Sequence, residues 1–281
     1  MSQTYRIFQI ARTDFSYFFR TKWLMAILIS LNLSDMLVTG LVYSRIISFD
    51  YFSFFVPGIV TMGLFTAATD TGRRIWLALR EGVVQYYLTL PVRTSGLVLA
   101  YIVSGGLGGV VYSLSLLAVA SLVLPPKGIV NILLLLPILF VLATGIAGLA
   151  ALLASLSRQG EVYWAYAQAL QVTMVTISTI FYPRETITQF LPGIVASAAE
   201  TNPLSLAARA ITQFLPGIVA SAAEANPLSL AARALRESAF GSSPLSTSLM
   251  VELLATSLPF AIIGAIAYWV ILRTIRVRGK P

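Results

Sequence analysis

Most of the residues that do covalent or metal chemistry are missing from this chain. It has no histidine and no cysteine among its 281 residues. That removes a thiol nucleophile, an imidazole base, a disulfide framework and any Cys/His metal site. A serine nucleophile with a lysine base is hard to build, since lysine stands only at Lys22, Lys127 and Lys280. Three polar groups remain. Asn32 and Asp35 are three apart in an apolar run and share a helix face. A carboxylate near the middle of a bilayer costs about 2.5–3.5 kcal/mol on insertion scales, so it should face the bundle or water. It reads either as a pathway or gating residue or as a hydrogen-bonded clamp between helices. Gln168 and Gln171 share a face of another apolar run, followed by Thr173, Thr176, Ser178 and Thr179. That face lines a cavity or a subunit interface, or makes ordinary interhelical hydrogen bonds. The third group is the charged segment Arg73 to Val92, RRIWLALREGVVQYYLTLPV.

The elements that must position these groups follow from composition. The chain is 57% hydrophobic and 11% charged, with a mean hydropathy of +0.84. A soluble domain carries roughly 25% charged residues, so too little polar surface is left to cover a water-soluble globule. The expected fold is an all-α polytopic membrane protein forming a single transmembrane domain over 1–281. The net charge of +8 does not point to nucleic acid, because the cations sit between apolar spans as the positive-inside rule requires. No cleavable signal is visible at the start.

Six transmembrane helices are expected. Residues 1–22 read as an N-terminal interfacial amphipathic helix, with Phe8, Ala11, Phe15 and Phe18/Phe19 as its apolar stripe and Arg6, Arg12, Asp14 and Arg20 off it. The spans are placed at about 23–43, 53–71, 97–124, 129–156, 162–181 and 249–272, bounds set by the lengths of the apolar runs. Pro57-Gly58 could kink the second span, and Pro137 could bend the fourth. In the third, Gly105 and Gly109 make a small-xxx-small step for close helix approach. The glycine run there is no phosphate loop, since no Lys-Ser/Thr follows it. Asp70, beside Arg73 and Arg74, reads as an interfacial ion-pair partner rather than a proton carrier.

Between the second and third spans, Ile75, Trp76, Leu79, Val83, Tyr86 and Tyr87 recur every three to four residues. That spacing predicts one helix face, with Arg73, Arg74, Arg80, Glu81 and Gln85 on the other and Pro91 as the terminator. Such a helix is a surface anchor or a docking bar for a soluble partner, and the docking bar is the reading adopted.

The connection 183–248 contains a direct repeat. Ile187–Ala210 and Ile211–Ala234 differ only at Thr201 against Ala225. Two nearly identical copies are not a solenoid, which diverges more and needs about three units. Each copy has a Leu-Pro-Gly break, a small-residue piece and then Asn-Pro, which restricts the residue before proline. Short extracytoplasmic helices separated by turns are expected there. With both termini inside, thirteen of the 19 Lys and Arg residues fall on the inner side and six on the outer: Arg45, Lys127, Arg184, Arg209, Arg233 and Arg236.

This layout resembles a type-2 ABC transporter permease, the exporter class that includes drug, polysaccharide and lipid permeases. The resemblance is carried by the order of its motifs. They are an interfacial first helix, Pro57-Gly58 opening span 2, and Arg80-Glu81-Gly82 followed by Thr89-Leu90-Pro91-Val92. Tyr182-Pro183, Leu-Pro, Asn-Pro-Leu-Ser and Ala234-Leu235-Arg236 then precede span 6. It implies a prokaryotic inner-membrane protein, a homo- or heterodimer docked on separate ATP-binding cassette subunits, with no cofactor of its own. It implies that 73–92 is the coupling element, with Arg73, Arg74, Trp76, Arg80, Glu81 and Gly82 meeting the partner. It also implies an extracytoplasmic lid, represented here by Pro192, Asn202 and Pro203 in one copy and Pro216, Asn226 and Pro227 in the other. Asn32, Asp35, Gln168 and Gln171 are the pathway candidates. The chain contains no Gly-x-x-x-x-Gly-Lys-Ser/Thr, so ATP hydrolysis would belong to another polypeptide and this one would not be an enzyme. The competing reading is an ion-coupled secondary transporter using Asp35.

Overall fold

The computed structural model describes residues 3–20, 22–46, 50–125, 128–157, 159–176, 178, 221–240 and 246–278. Its helices are α1 (Gln3–Arg20), α2 (Lys22–Ile46), α3 (Tyr51–Arg80), α4 (Val83–Thr89), α5 (Thr94–Ala120), α6 (Ile129–Leu156), α7 (Gly160–Thr176), α8 (Pro227–Leu235) and α9 (Thr247–Arg278), with a π turn at Arg236–Phe240. Among the described residues there is no strand. Among the described residues five helices are long and apolar enough to cross a membrane: α2, α3, α5, α6 and α9. The chain is an all-α polytopic membrane protein. The fifth expected span is represented by α7, whose 17 described residues end at Thr176.

The bundle is built around α3. In its most apolar window 78% of residues are buried, against 17% for α2 and 22% for α9, which are therefore peripheral. The sequence explains the central place. Small residues along α3 and α5 let backbones approach, and Gly105 shows the effect. A side chain there would put its first carbon 2.7 Å from the Cβ of Ala147 on α6. The small-xxx-small step thus does what its spacing predicts. A second close approach joins α6 to α9, where the Cα of Gly264 lies 3.0 Å from the position a Gly148 Cβ would take.

At its Tyr51 end, α3 is capped by Asp50, whose carboxylate accepts from the Ser53 amide at 3.2 Å and its hydroxyl at 2.5 Å. Such a cap satisfies amides that have no intrahelical partner. Pro57 lies in the second turn of this helix, which continues through it to Arg80. Around this end, Leu228, Leu230, Ala231, Ala232, Ala234 and Leu235 of α8 join the main apolar core with Leu64, Leu139, Leu142 and Leu253. A second core cluster gathers at the Arg80 end, from Ile10, Ile75, Leu79, Val84, Leu97, Tyr101, Ala151, Tyr163 and Tyr268.

Candidate functional site

The Arg80 end of α3 carries the charged segment, and its geometry departs from the predicted single helix over 73–92. The helix that starts at Tyr51 runs unbroken to Arg80. Glu81 is its C-cap, with its amide donating to the Leu77 carbonyl at 2.8 Å. Gly82 then takes φ 76°, a left-handed conformation that costs a residue with a Cβ roughly 1–2 kcal/mol. A separate helix of seven residues, Val83–Thr89, follows. The periodicity carries across the turn without showing it, because glycine at one position resets the direction while the apolar spacing persists. Pro91 lies beyond a helix that has already ended at Thr89.

The side chains divide accordingly. Ile75 and Leu79 are buried in the bundle, and Trp76 packs partly against it. Tyr86, predicted on the same stripe, is 61% exposed. Arg80 and Glu81 are exposed at the tip. The Arg80 guanidinium sits 5.6 Å from the centre of the Trp76 ring, within cation–π range. Arg73 is half-buried and pairs with Asp70 at 2.7 Å, the ion pair expected from their spacing.

Arg74 corrects the sequence reading, which put it on the outward polar face. It is buried, with its side chain 4% exposed. One amino group donates to the Asp14 carbonyl at 2.8 Å and pairs with the Asp14 carboxylate, while the other donates to Thr71 at 3.1 Å. Its Nε lies 3.5 Å from Asp70. Ser104 of α5 donates to the same Asp14 carboxylate at 2.5 Å. Three elements, α1, α3 and α5, therefore meet on one carboxylate. Burial pushes the Asp14 carboxyl above the usual range, against the lowering pull of Arg74 and of the Ser104 hydrogen bond. The physical reason for the inward turn is the docking of α1. That helix lays Ile7, Ile10 and Ala11 on the bundle, which places Asp14 on its docked face and leaves Phe8 63% exposed. The sequence reading put Asp14 off the apolar stripe. One signal was available: Ile7, Ile10 and Asp14 recur at helical spacing beside the Phe8 and Phe15 face.

The pathway candidates do not converge. Asn32 is buried and donates to the Tyr112 hydroxyl of α5 and the Leu28 carbonyl, both at 2.9 Å. Asp35, one turn further along α2, is exposed. Of the two settings expected for Asp35, the bundle or water, the bundle of this chain is not the one it meets, since only one side of this peripheral helix is covered. Gln168 is exposed and Gln171 half-buried on α7.

Of the lid residues, Pro192, Asn202, Pro203 and Pro216 lie outside the described residues. Asn226 and Pro227, in the second copy of the repeat, begin α8. Asn226 accepts from the Leu228 amide at 2.9 Å and donates to the Met174 carbonyl of α7 at 2.7 Å. Just past α8, Arg236 donates to the Phe54 carbonyl at 2.8 Å, its guanidinium 3.8 Å from the centre of the Phe54 ring. Burial lowers the Arg236 pKa to about 10. The described part of the second copy thus joins the core, and Leu235 just past it continues that packing.

Among the described residues there is no group of three His, Cys, Asp or Glu able to hold a metal. What the arrangement offers is mechanical: a charged, exposed tip on the most buried helix of the bundle. Compared with known families, residues 5–215 match the model described as ABC-2 type transporter. No curated protein matches the chain.

Proposed function

The chain belongs to the ABC-2 type transporter family, and from that premise we propose that it couples ATP hydrolysis by a separate subunit to the export of a substrate. Its place as a membrane permease of an ABC transporter comes with the family. The observation that supports coupling is the position of Arg80, Glu81 and Gly82. They end the helix with the most buried apolar window, so a push at this exposed turn reaches the centre of the bundle along a rigid rod. Ile75 and Leu79, already packed inside, transmit it. Arg80 and Glu81 set the register of docking, since charges at an interface rim mainly govern specificity and association rate.

The remaining features fit this reading. The Arg80 end faces the cytoplasm of a prokaryotic cell, with both termini on that side and α8 on the outer side. A second permease covers the exposed faces of α2 and α9, which places Asp35 where two subunits and a pathway meet. Motion is rigid-body rocking between inward- and outward-open states.

The test is recovery of the ATP-binding subunit on the immobilised full chain, with and without the exchange Arg80→Glu plus Glu81→Arg. Recovery should fall at least tenfold; unchanged recovery rejects the docking role. For the lid, deletion of Ile187–Ala210 should leave insertion and transport intact, because Asn226 of the second copy bonds to α7 and Arg236, just beyond that copy, bonds to α3. Loss of both on deletion rejects that assignment.

A further inference from the structure

Beside the Asp14–Arg74 junction lies a cleft of about 190 Å³ between α1, α3, α4 and α5. Docking does not use its interior. Its polar lining is Thr13, Asp14, Arg74 and Glu81 together with Tyr17, Tyr87 and Tyr101. The charges decide what it suits. Arg74 is committed to Asp14, Asp70 and Thr71, and Arg73 pairs with Asp70 as well, so these two cations and two carboxylates cancel. Glu81 adds one further negative charge at the rim and is exposed. Arg80 is turned over the Trp76 ring and is absent from the lining. The cleft therefore has one carboxylate in excess and three tyrosines in its lining, a combination that favours a cation. Its interior does not suit a phosphate, which stays at the mouth. Its volume is below the roughly 300–1,000 Å³ of a drug-sized site, so it admits a headgroup-sized moiety and not a whole amphiphile.

We propose that this cleft binds an alkylammonium group, supplied by the headgroup of an amine-bearing phospholipid. The lipid source is favoured by the wall that α1 forms, an amphipathic helix that turns Ile10 and Thr13 to the cleft and leaves Phe8 exposed on its other side. Such a helix lies where headgroups are. Occupancy joins Asp14 of α1 to the Glu81–Val83 turn, and so ties the lipid to the geometry of the coupling end. This goes beyond the transport reading and does not depend on a partner.

The experiment uses the purified full chain in detergent, without nucleotide or ATP-binding subunit, and reads the thermal unfolding midpoint. The probes are short-chain phosphatidylethanolamine, short-chain phosphatidylglycerol and ethylammonium chloride. Phosphatidylethanolamine should raise the midpoint saturably, and phosphatidylglycerol should not. Glu81→Gln, an exposed and conservative change, should weaken the effect at least tenfold, and Tyr87→Leu should do the same. Ethylammonium competing with the lipid supports the amine as the recognised group. Ethylammonium acting where the lipid has no effect overturns the lipid source in favour of a soluble amine. Equal stabilisation by phosphatidylglycerol, or an unchanged response in Glu81→Gln, overturns the site. Because no partner is present, these results stand apart from the pull-down that tests docking.

Discussion

The two ends of α3 are held by different physics. At the Arg80 end, a buried carboxylate and a buried guanidinium join three helices, with Asp14 and Arg74 side chains only 11% and 4% exposed. At the Tyr51 end, α8 inserts as an apolar wedge, with Leu228, Ala231, Ala232, Ala234 and Leu235 all at 1% exposure or less. Its polar contacts there run to backbone carbonyls, Asn226 to Met174 and Arg236 to Phe54. The contrast teaches where each end is vulnerable. A charge pair is directional and fails when either partner is lost, because the survivor remains buried and unpaired. An apolar wedge is tolerant of direction and fails by degrees with lost volume.

The sharpest break in this comparison is Arg74→Ala, which should cost about 3–5 kcal/mol of stability as the loss of one partner of a buried pair. Reversible unfolding in detergent checks it. The double change Asp14→Leu plus Arg74→Met should recover most of that loss, since replacing both charges by apolar groups is often neutral. If the double variant is as unstable as the single one, the Arg80 end is not governed by charge pairing. At the other end, Asn226→Ala removes a helix cap and the donation to Met174, with an expected cost of about 1–2 kcal/mol. The same unfolding assay measures it, and a loss as large as that of Arg74→Ala would erase the distinction between the ends. Gly82→Ala should cost about 1–2 kcal/mol through its left-handed backbone. Its effect should appear more strongly in partner recovery than in stability, because Gly82 ends the bundle rather than packing inside it. The smallest effect is expected for Arg236→Lys. It keeps the charge but loses the flat stacking over Phe54, a change of about 0.5–1 kcal/mol.

Much of this architecture was legible in the chain. The span at 129–156 coincides with α6, because an unbroken apolar run bounded by glycine and serine leaves little choice of ends. The pairing of Asp70 with Arg73 followed from their separation of three on one helix. The turn at Gly82 was hidden, since one glycine changes the helix direction without disturbing the apolar count on either side. The two faces of α2 were hidden too. Asn32 and Asp35 are 60° apart on a helical wheel by the usual 100° per residue, and the edge of the neighbouring helix falls between them.

The sequence alone determined that the chain is helical and membrane-embedded, for apolar composition and the spacing of charges are local properties of the chain. It also determined which residue types were available for chemistry. Only the tertiary structure decided which charges are free to meet another molecule. Arg74 and Arg80 have the same chemistry and stand six residues apart on one helix. Yet the docking of α1 buries the first and leaves the second in the open. Burial of a charge depends on what folds against it from a distance, and Asp14 is sixty residues away from Arg74 along the chain.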